Sequence, residues 1–375
     1  MIILVNTATT FKGGGVQVAK SLIEEFKNFA ENDYHIVLGV MLSEIIEIKS
    51  LGENFHFYNI GYRPASSIST FRKAQKYLNA LEQKINPDVV ITTSGPAYWN
   101  SKKPHIIGYN LPHYIYFDSP FFKIISASEK LKWRFKGLLI NYFFKRDADV
   151  LVVQTEDIKH RLAKKWPYKK VTAVSNTYSA SYDNPVIGNK KLPERKNDEF
   201  RLLTLSAWYK HKNLSIIIKL IDVMPPALLN RIRFVVTLPP SEFDLHFPKS
   251  YQSFILNVGP VSPVDGASLY AECDAMFLPT LLECFSASYA EAMAMKKPIL
   301  TSDLGFAHTV CDEAALYFDP MNPQSIINAI ASLIDNTKLK NTLIANGVRR
   351  LNYFGTAKQR AEQYLSICKE AIHVN

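Results

Sequence analysis

The sequence predicts an α/β protein built from two doubly wound, Rossmann-like domains that face each other across a cleft. Three observations lead there. The chain has 375 residues, more than one hydrophobic core usually supports. Short strands of buried type alternate with helical patterns along its whole length, the rhythm of parallel sheets covered on both faces. That rhythm breaks once, in the polar stretch DNPVIGNKKLPERKND (183–198), and then restarts.

Taken in order, residues 2–6 read as the first strand. The glycine run Gly13, Gly14 and Gly15 follows, then a helix over 16–29 whose apolar positions Val16, Ala19, Ile23 and Phe26 recur at helical spacing. Further strands are expected over 35–41, 88–92, 106–109 and 150–154. One helix ends near Asn86-Pro87 and another covers 155–165. The first domain is thus expected over 1–182 and a linker over 183–199. In the second domain, over 200–355, strands are expected at 201–206, 234–238, 275–279 and 298–301. Helices are expected at 214–223, 266–273, 287–295, 323–335 and 338–351, and a separate amphipathic helix at 356–372. Doubly wound domains place ligand crevices at the carboxyl ends of their strands.

Composition narrows the function classes. Hydrophobic residues are 47% and charged residues 21%, enough apolar material for two cores and too little charge for a disordered chain. Cys273, Cys284, Cys311 and Cys368 are scattered without a CxxC pair, which argues against a zinc site or a disulfide framework and fits a reducing cytoplasm. The opening MIILVNTATT lacks the basic and long apolar regions of a signal peptide. No stretch approaches the roughly 18 apolar residues of a membrane span. A cytoplasmic protein is expected. Its basic excess is uneven: the first 199 residues hold 28 Lys and Arg against 19 Asp and Glu, the remainder 16 against 15. Such a face meets anionic lipid, a phosphorylated substrate or nucleic acid, or simply keeps the surface soluble.

The densest chemical signal is TLLECFSASYAEAMAMKKPIL (280–300). A strand ends, a short turn carries Glu283, and a helix begins near Ser286, which can cap it. The amides around Phe285, Ser286, Ala287 and Ser288 then point out of the positive helix end, a ready site for phosphate. Glu283 stands where a sugar hydroxyl can be met. Glu291, more than a turn along, suits a different part of the same ligand, and a carboxylate accepting ribose hydroxyls is ordinary ribose recognition. The rest of the helix is small and apolar, so Glu291 is expected to be buried and to need a partner. Residues 259–320 resemble the donor-binding half of the family-4 retaining glycosyltransferases of GT-B fold. The signature Glu-x7-Glu is matched by Glu283 and Glu291, and its usual tail by Glu291-Ala-Met-Ala and Pro298.

The resemblance implies the rest of the site. In LSAWYKHKNL (205–214), Lys212 matches the family lysine that grips the donor diphosphate, with Ser206 and Asn213 assigned to the donor beside it. The family arginine is replaced by Ala207, and Lys210, His211 or the helix amides are candidates for the missing charge. The glycine run is neither a P-loop nor a full GxGxxG, but in the family this loop lies beside the donor phosphates and the acceptor, which assigns Gly14 and Gly15 to donor binding. His113, in YNLPHYIYFDS (109–119), matches a histidine near the transferred sugar. Glu283, His113 and Lys212 are therefore the expected catalytic residues. The C-terminal helix of the family crosses back onto the first domain. Asp147-Ala-Asp149 spells a DxD metal motif, yet its place at a helix end before a strand reads as helix termination, and no metal is expected.

The implied activity is retaining transfer of a hexosyl group from a UDP- or GDP-linked sugar to a glycan or lipid-linked acceptor, with no cofactor beyond this co-substrate. An anionic membrane surface is a candidate partner through EKLKWRFKGLLINYFFKR (129–146), which suits an interfacial helix; the reading preferred for that segment is a buried domain helix with basic solvent-facing positions. Nucleic acid is not an expected partner. The alternatives are a GT-B sugar-nucleotide epimerase, a nicotinamide oxidoreductase, whose glycine pattern is broken here, and a basic lipid- or nucleic-acid-binding module, which leaves Glu283 and Glu291 unexplained.

Overall fold

Both sheets of the computed structural model are parallel throughout, and each belongs to its own compact unit. The structure describes every residue except Lys12, Ala180, Ser181, Asn184, Val186, Asn189, Asn197 and Asn375. Asn184, Val186, Asn189 and Asn197 of the expected linker therefore lie outside the described residues.

The first unit comprises residues 1–115, 126–176 and 355–375. Its strands are β1 (Ile2–Asn6), β2 (Asp33–Leu38), β3 (Phe55–Asn59), β4 (Val89–Thr92), β5 (His105–Gly108), β6 (Val150–Val153) and β7 (Lys170–Ala173), in the spatial order β3-β2-β1-β4-β5-β6-β7. The four residues of β4, β5 and β6 are all buried, as strands covered on both faces must be. Their apolar side chains meet Ala19, Leu22, Ile23 and Phe26 of the first helix, Gly14–Glu25, and of the turn after it. Tyr364, Leu365 and Cys368 of the last helix, Ala357–Val374, complete this core.

The second unit comprises residues 116–125 and 177–354. Its strands are β8 (Phe200–Thr204), β9 (Ile232–Val236), β10 (Ile255–Asn257), β11 (Ala275–Leu278), β12 (Ile299–Ser302) and β13 (Ala315–Phe318), in the order β10-β9-β8-β11-β12-β13. This is the order of the dinucleotide-binding fold, with its switch point between β8 and β11. Leu202, Phe234, Phe277 and Leu300 pack against Leu220 and Ile330 of the covering helices.

Three local expectations change. The strand expected over 35–41 stops at Leu38, because Gly39 is the N-cap of a helix, Val40–Ile45; it lies so close to the chain after β1 that a Cβ there would sit 2.6 Å from the Thr7 carbonyl oxygen. The first helix begins at Gly14 rather than at residue 16, and within the glycine run Gly13 alone has a positive φ, at 67°. Gly14 and Gly15 are thus first-turn helix residues and need no left-handed backbone. The helix Ala127–Asp147, opened by a capping box between Ser126 and Glu129, buries Gly137, Ile140, Phe143 and Phe144 as preferred from sequence, but on one face only. Leu131, Phe135, Leu138, Leu139 and Tyr142 are all more than half exposed on it.

At the carboxyl end of β5, a Cβ on Gly108 would sit 2.3 Å from the Thr93 backbone carbonyl. Backbone cannot rotate away as a side chain can, so β4 and β5 would have to separate. Gly108→Ala is expected to cost about 1–3 kcal/mol, read from the midpoint of urea denaturation.

Candidate functional site

In the second unit, β11 ends at Leu278 and the turn that follows is fixed from below. The Leu281 N–H donates to the His211 carbonyl at 2.7 Å, the Thr280 hydroxyl donates to the same carbonyl at 3.1 Å, and the Ser119 hydroxyl donates to the Leu281 carbonyl at 2.6 Å. This stitching holds the 280–283 turn against the short helical turn Lys210–Lys212 that follows β8. Lys212 is thereby brought onto Glu283, 71 residues away in sequence. Lys212 Nζ pairs with Glu283 Oε1, with the two side chains only 13% and 11% exposed. Thr280 Oγ1 donates to the same carboxylate oxygen at 3.1 Å.

Glu291 lies on the next helix, Ala287–Ala294, whose Ser288, Tyr289, Ala290, Ala292 and Met293 are buried. Its Oε2 is buried and has no hydrogen-bond partner among the described residues. Burial raises its carboxyl from the ordinary 4.5 to about 7, against the opposing pull of the Tyr182 hydroxyl, the Lys212 ammonium and the Tyr270 hydroxyl. The expectation that Glu291 needs partners is met by the Tyr182 and Tyr270 hydroxyls and the Lys212 ammonium, all of which favour its charged form. Lys212 acts on both carboxylates: it pairs with one and stabilises the charge of the other. Tyr182 is itself held close by Gly266, where a Cβ would lie 2.3 Å from its hydroxyl oxygen.

Ser286 occupies the N-cap position of this helix with extended backbone but makes no side-chain capping hydrogen bond, contrary to the capping role expected of it. The Tyr289 N–H closes onto the Ser286 carbonyl at 3.1 Å, and the amides before it have no intrahelical acceptor. Phe285 packs edge-on against Phe354 at 5.7 Å between ring centroids, and Ala287 is exposed.

The remaining candidates divide by unit. Ser206 donates its hydroxyl to the Ala207 carbonyl at 2.9 Å and its N–H to Thr237 Oγ1 at 3.2 Å. Asn213 is in the left-handed region with φ 56° and spends its amide on the Pro320 carbonyl at 3.1 Å, so it shapes the Lys212 turn. Burial, with Lys212 alongside, pushes His211 down to about 3, so it is neutral at ordinary pH. Of the two side chains considered for the missing arginine charge, only Lys210 carries one. It lines a pocket with Trp208, Tyr209, Asn213, Lys219 and Met321. His113, Gly14 and Gly15 belong to the first unit. His113 stacks on Trp133 at 4.2 Å, with the rings 3° from parallel. A Cβ on Gly15 would touch Asn110 at 3.5 Å, while one on Gly14 would meet nothing within 4 Å. Asp149 accepts the His105 N–H at 2.8 Å and Asp147 pairs with Arg146, so the DxD pair serves a helix end and a strand start.

Thr280, Tyr182 and Tyr270 were not singled out in the sequence. Thr280 had a local signal, a hydroxyl three residues before Glu283 at a strand end. Tyr182 and Tyr270 had none, since nothing in their own surroundings points to Glu291.

Residues 189–350 match the family model described as Glycosyl transferases group 1. The matched span lies within the second unit. One relative, the O-antigen chain mannosyltransferase RfbU of Salmonella typhimurium, is 26% identical over 221 residues, 57% of this chain and 58% of that protein. The match therefore spans little more than half of that relative's length. Among solved structures, sucrose-phosphate synthase from Thermosynechococcus elongatus aligns with a TM-score of 0.75 at 14% identity, over 100% of this chain and 99% of that one. HepE from Anabaena in complex with UDP and glucose aligns with a TM-score of 0.68 at 14% identity, over 99% of this chain and 100% of that one. The fold is GT-B, with a Rossmann-like sheet in each unit. Lys212, Glu283 and Glu291 all lie within the span matched to the glycosyltransferase family.

Proposed function

We propose that the protein is a retaining hexosyltransferase that takes a UDP- or GDP-linked sugar and transfers the hexosyl group to a hydroxyl of a glycan or lipid-linked saccharide in surface polysaccharide synthesis. One observation carries the reading: Lys212 is shared between a paired carboxylate, Glu283, and a partly buried one, Glu291, whose buried Oε2 has no hydrogen-bond partner among the described residues, ahead of and along the helix Ala287–Ala294. A buried acceptor with no acceptor's partner is costly in an empty protein and useful in one that binds polyhydroxyl ligand. The ribose hydroxyls of the donor supply that partner.

In this reading the anomeric carbon exchanges its bond to the diphosphate oxygen for one to the acceptor oxygen, on the same face of the ring. The acceptor's proton passes to the departing phosphate. Lys212 and the first-turn amides at Phe285–Ser288 stabilise the charge that develops on the leaving diphosphate, electrostatic preorganisation that needs no movement at the moment of reaction. Glu283 holds the Lys212 ammonium in place and presents its carboxylate to a sugar hydroxyl. No resident cofactor enters the reaction. RfbU is by its name an O-antigen chain mannosyltransferase and HepE is bound to UDP and glucose, and both support this class of donor and product.

The test is a thermal-shift screen against UDP- and GDP-sugars. A donor that binds only the folded protein stabilises it by about 2.7 kcal/mol at 100 times its Kd. The expected result is a raised melting point with one nucleotide-sugar class, and release of nucleoside diphosphate once an acceptor is added. A melting point unmoved by any of them, or conversion of the sugar without acceptor, overturns the reading.

A further inference from the structure

We propose that the helix Ala127–Asp147 of the first unit seats the protein on an anionic lipid surface. The proposal goes beyond the transfer reading and stands without it. Leu131, Phe135, Leu138, Leu139 and Tyr142 are 54%, 64%, 69%, 57% and 56% exposed. Their spacing of three and four residues puts all five on one face of the helix. The opposite face is already used: Gly137, Ile140, Phe144 and Asp147 are buried, and a Cβ on Gly137 would sit 3.0 Å from the Tyr114 ring. The helix therefore has two apolar faces, one spent on the core of its unit and one turned outward.

Charge selects the occupant. Lys132 and Lys136 border the outward stripe on one side, Arg134 and Lys145 on the other, and residues 130–146 contain no acidic residue. Lys145 lies 5.8 Å above the ring of Tyr168, itself 68% exposed, which extends the patch beyond the helix. An apolar stripe edged by basic side chains, with an aromatic at its margin, fits the boundary between lipid headgroups and acyl chains. There the leucines enter the apolar layer, and the lysine stems reach up to anionic headgroups. A second copy of this chain fits worse, because two such faces brought together oppose lysine to lysine.

Sedimentation of the full chain with vesicles tests this, comparing phosphatidylglycerol mixed into phosphatidylcholine with phosphatidylcholine alone. The expected result is binding to the mixed vesicles and none to the neutral ones. Leu138→Gln with Leu139→Gln should lower partition about tenfold at every salt concentration, and Lys132→Gln with Lys136→Gln should lower it at low salt only. All four positions are on the surface, and an unchanged melting point confirms that each variant is folded. The nucleotide-sugar thermal shift, measured on the same variants, reports the donor site separately, so failure of one reading does not touch the other. Wild-type partition in both double variants overturns the proposal. So does absence of binding to mixed vesicles, a concentration-dependent dimer abolished by the leucine variants, or binding to polyglutamate in place of vesicles.

Discussion

Lys212→Ala is expected to lower turnover on the order of 100-fold or more, the usual cost of removing one preorganised donor to a developing anion. The same substitution has a structural cost that must be separated from the chemical one. Lys212 and Glu283 are both nearly buried and paired, so among the described residues deleting the lysine leaves the Glu283 carboxylate with the Thr280 hydroxyl. Breaking a buried pair from one side typically destabilises by about 3–5 kcal/mol. The double variant Lys212→Met with Glu283→Gln removes both charges, keeps the volume and should recover most of that stability. Glu283→Gln alone is the reference, since it removes whatever that carboxylate gives the sugar. If Lys212 acts on the leaving diphosphate, the double variant melts near wild type yet turns over far more slowly than Glu283→Gln; if the lysine only neutralises Glu283, the two variants turn over alike. Single-turnover rates at saturating donor, alongside thermal melts, decide between the two.

How far the fold could be read from sequence follows a physical line. β1, β2, β4, β5, β6, β8, β9, β11 and β12 are all flanked by strands on both sides, and the sequence revealed all of them within a few residues. The four strands it did not reveal, β3, β7, β10 and β13, are the four sheet edges. An interior parallel strand must be apolar on both faces, as in VVIT of β4 and VLVV of β6. An edge strand is freed from that demand: β3 reads FHFYN with three partly buried or exposed positions in its middle, and β7 reads KVTA with no residue fully buried. Such segments look like loops because their hydrogen-bonded partner lies on one side only. Boundaries slipped at glycines, where Gly39 ends a strand by capping Val40–Ile45 and Gly14 opens the first helix without an apolar side chain to mark it.

The site was legible where its chemistry is local and opaque where it is tertiary. Glu283 and Glu291 sit on one strand-turn-helix unit, and Lys212 follows the strand next to it, so that local context and the family resemblance, not the spacing alone, singled them out. The neighbours that set the state of Glu291 come from elsewhere, Tyr182 from the segment before β8 and Tyr270 from the helix Pro263–Glu272. The two apolar faces of the helix Ala127–Asp147 were hidden for a related reason. Apolar residues on opposite sides of a helix cancel any one-sided pattern, and only the packing of Gly137 and Ile140 reveals which side the core took.

Glu291→Gln should do what most active-site substitutions do not: stabilise the free protein while weakening the donor. Burial holds the Glu291 proton in the folded chain until about pH 7, whereas the unfolded chain releases it near 4.5. The folded state therefore binds the extra proton across that window, and stability falls as pH rises through it. The contribution is whole below 4.5 and gone above about 7. A neutral glutamine removes the titration, so its melting point should be flat where the wild type declines, and above about pH 7 the variant should be more stable by about 1–3 kcal/mol. Donor binding has the opposite sign. The ionised carboxylate accepts two hydroxyls, so wild-type affinity should climb with pH and level off above about 7, and binding below that point should release a proton. The variant, with one acceptor oxygen, should bind roughly 10–100-fold more weakly with no slope. Melting curves across the pH range and calorimetric titrations in buffers of different ionisation enthalpy read both halves. A variant that is less stable than wild type at high pH, yet binds donor as well, removes Glu291 from the site.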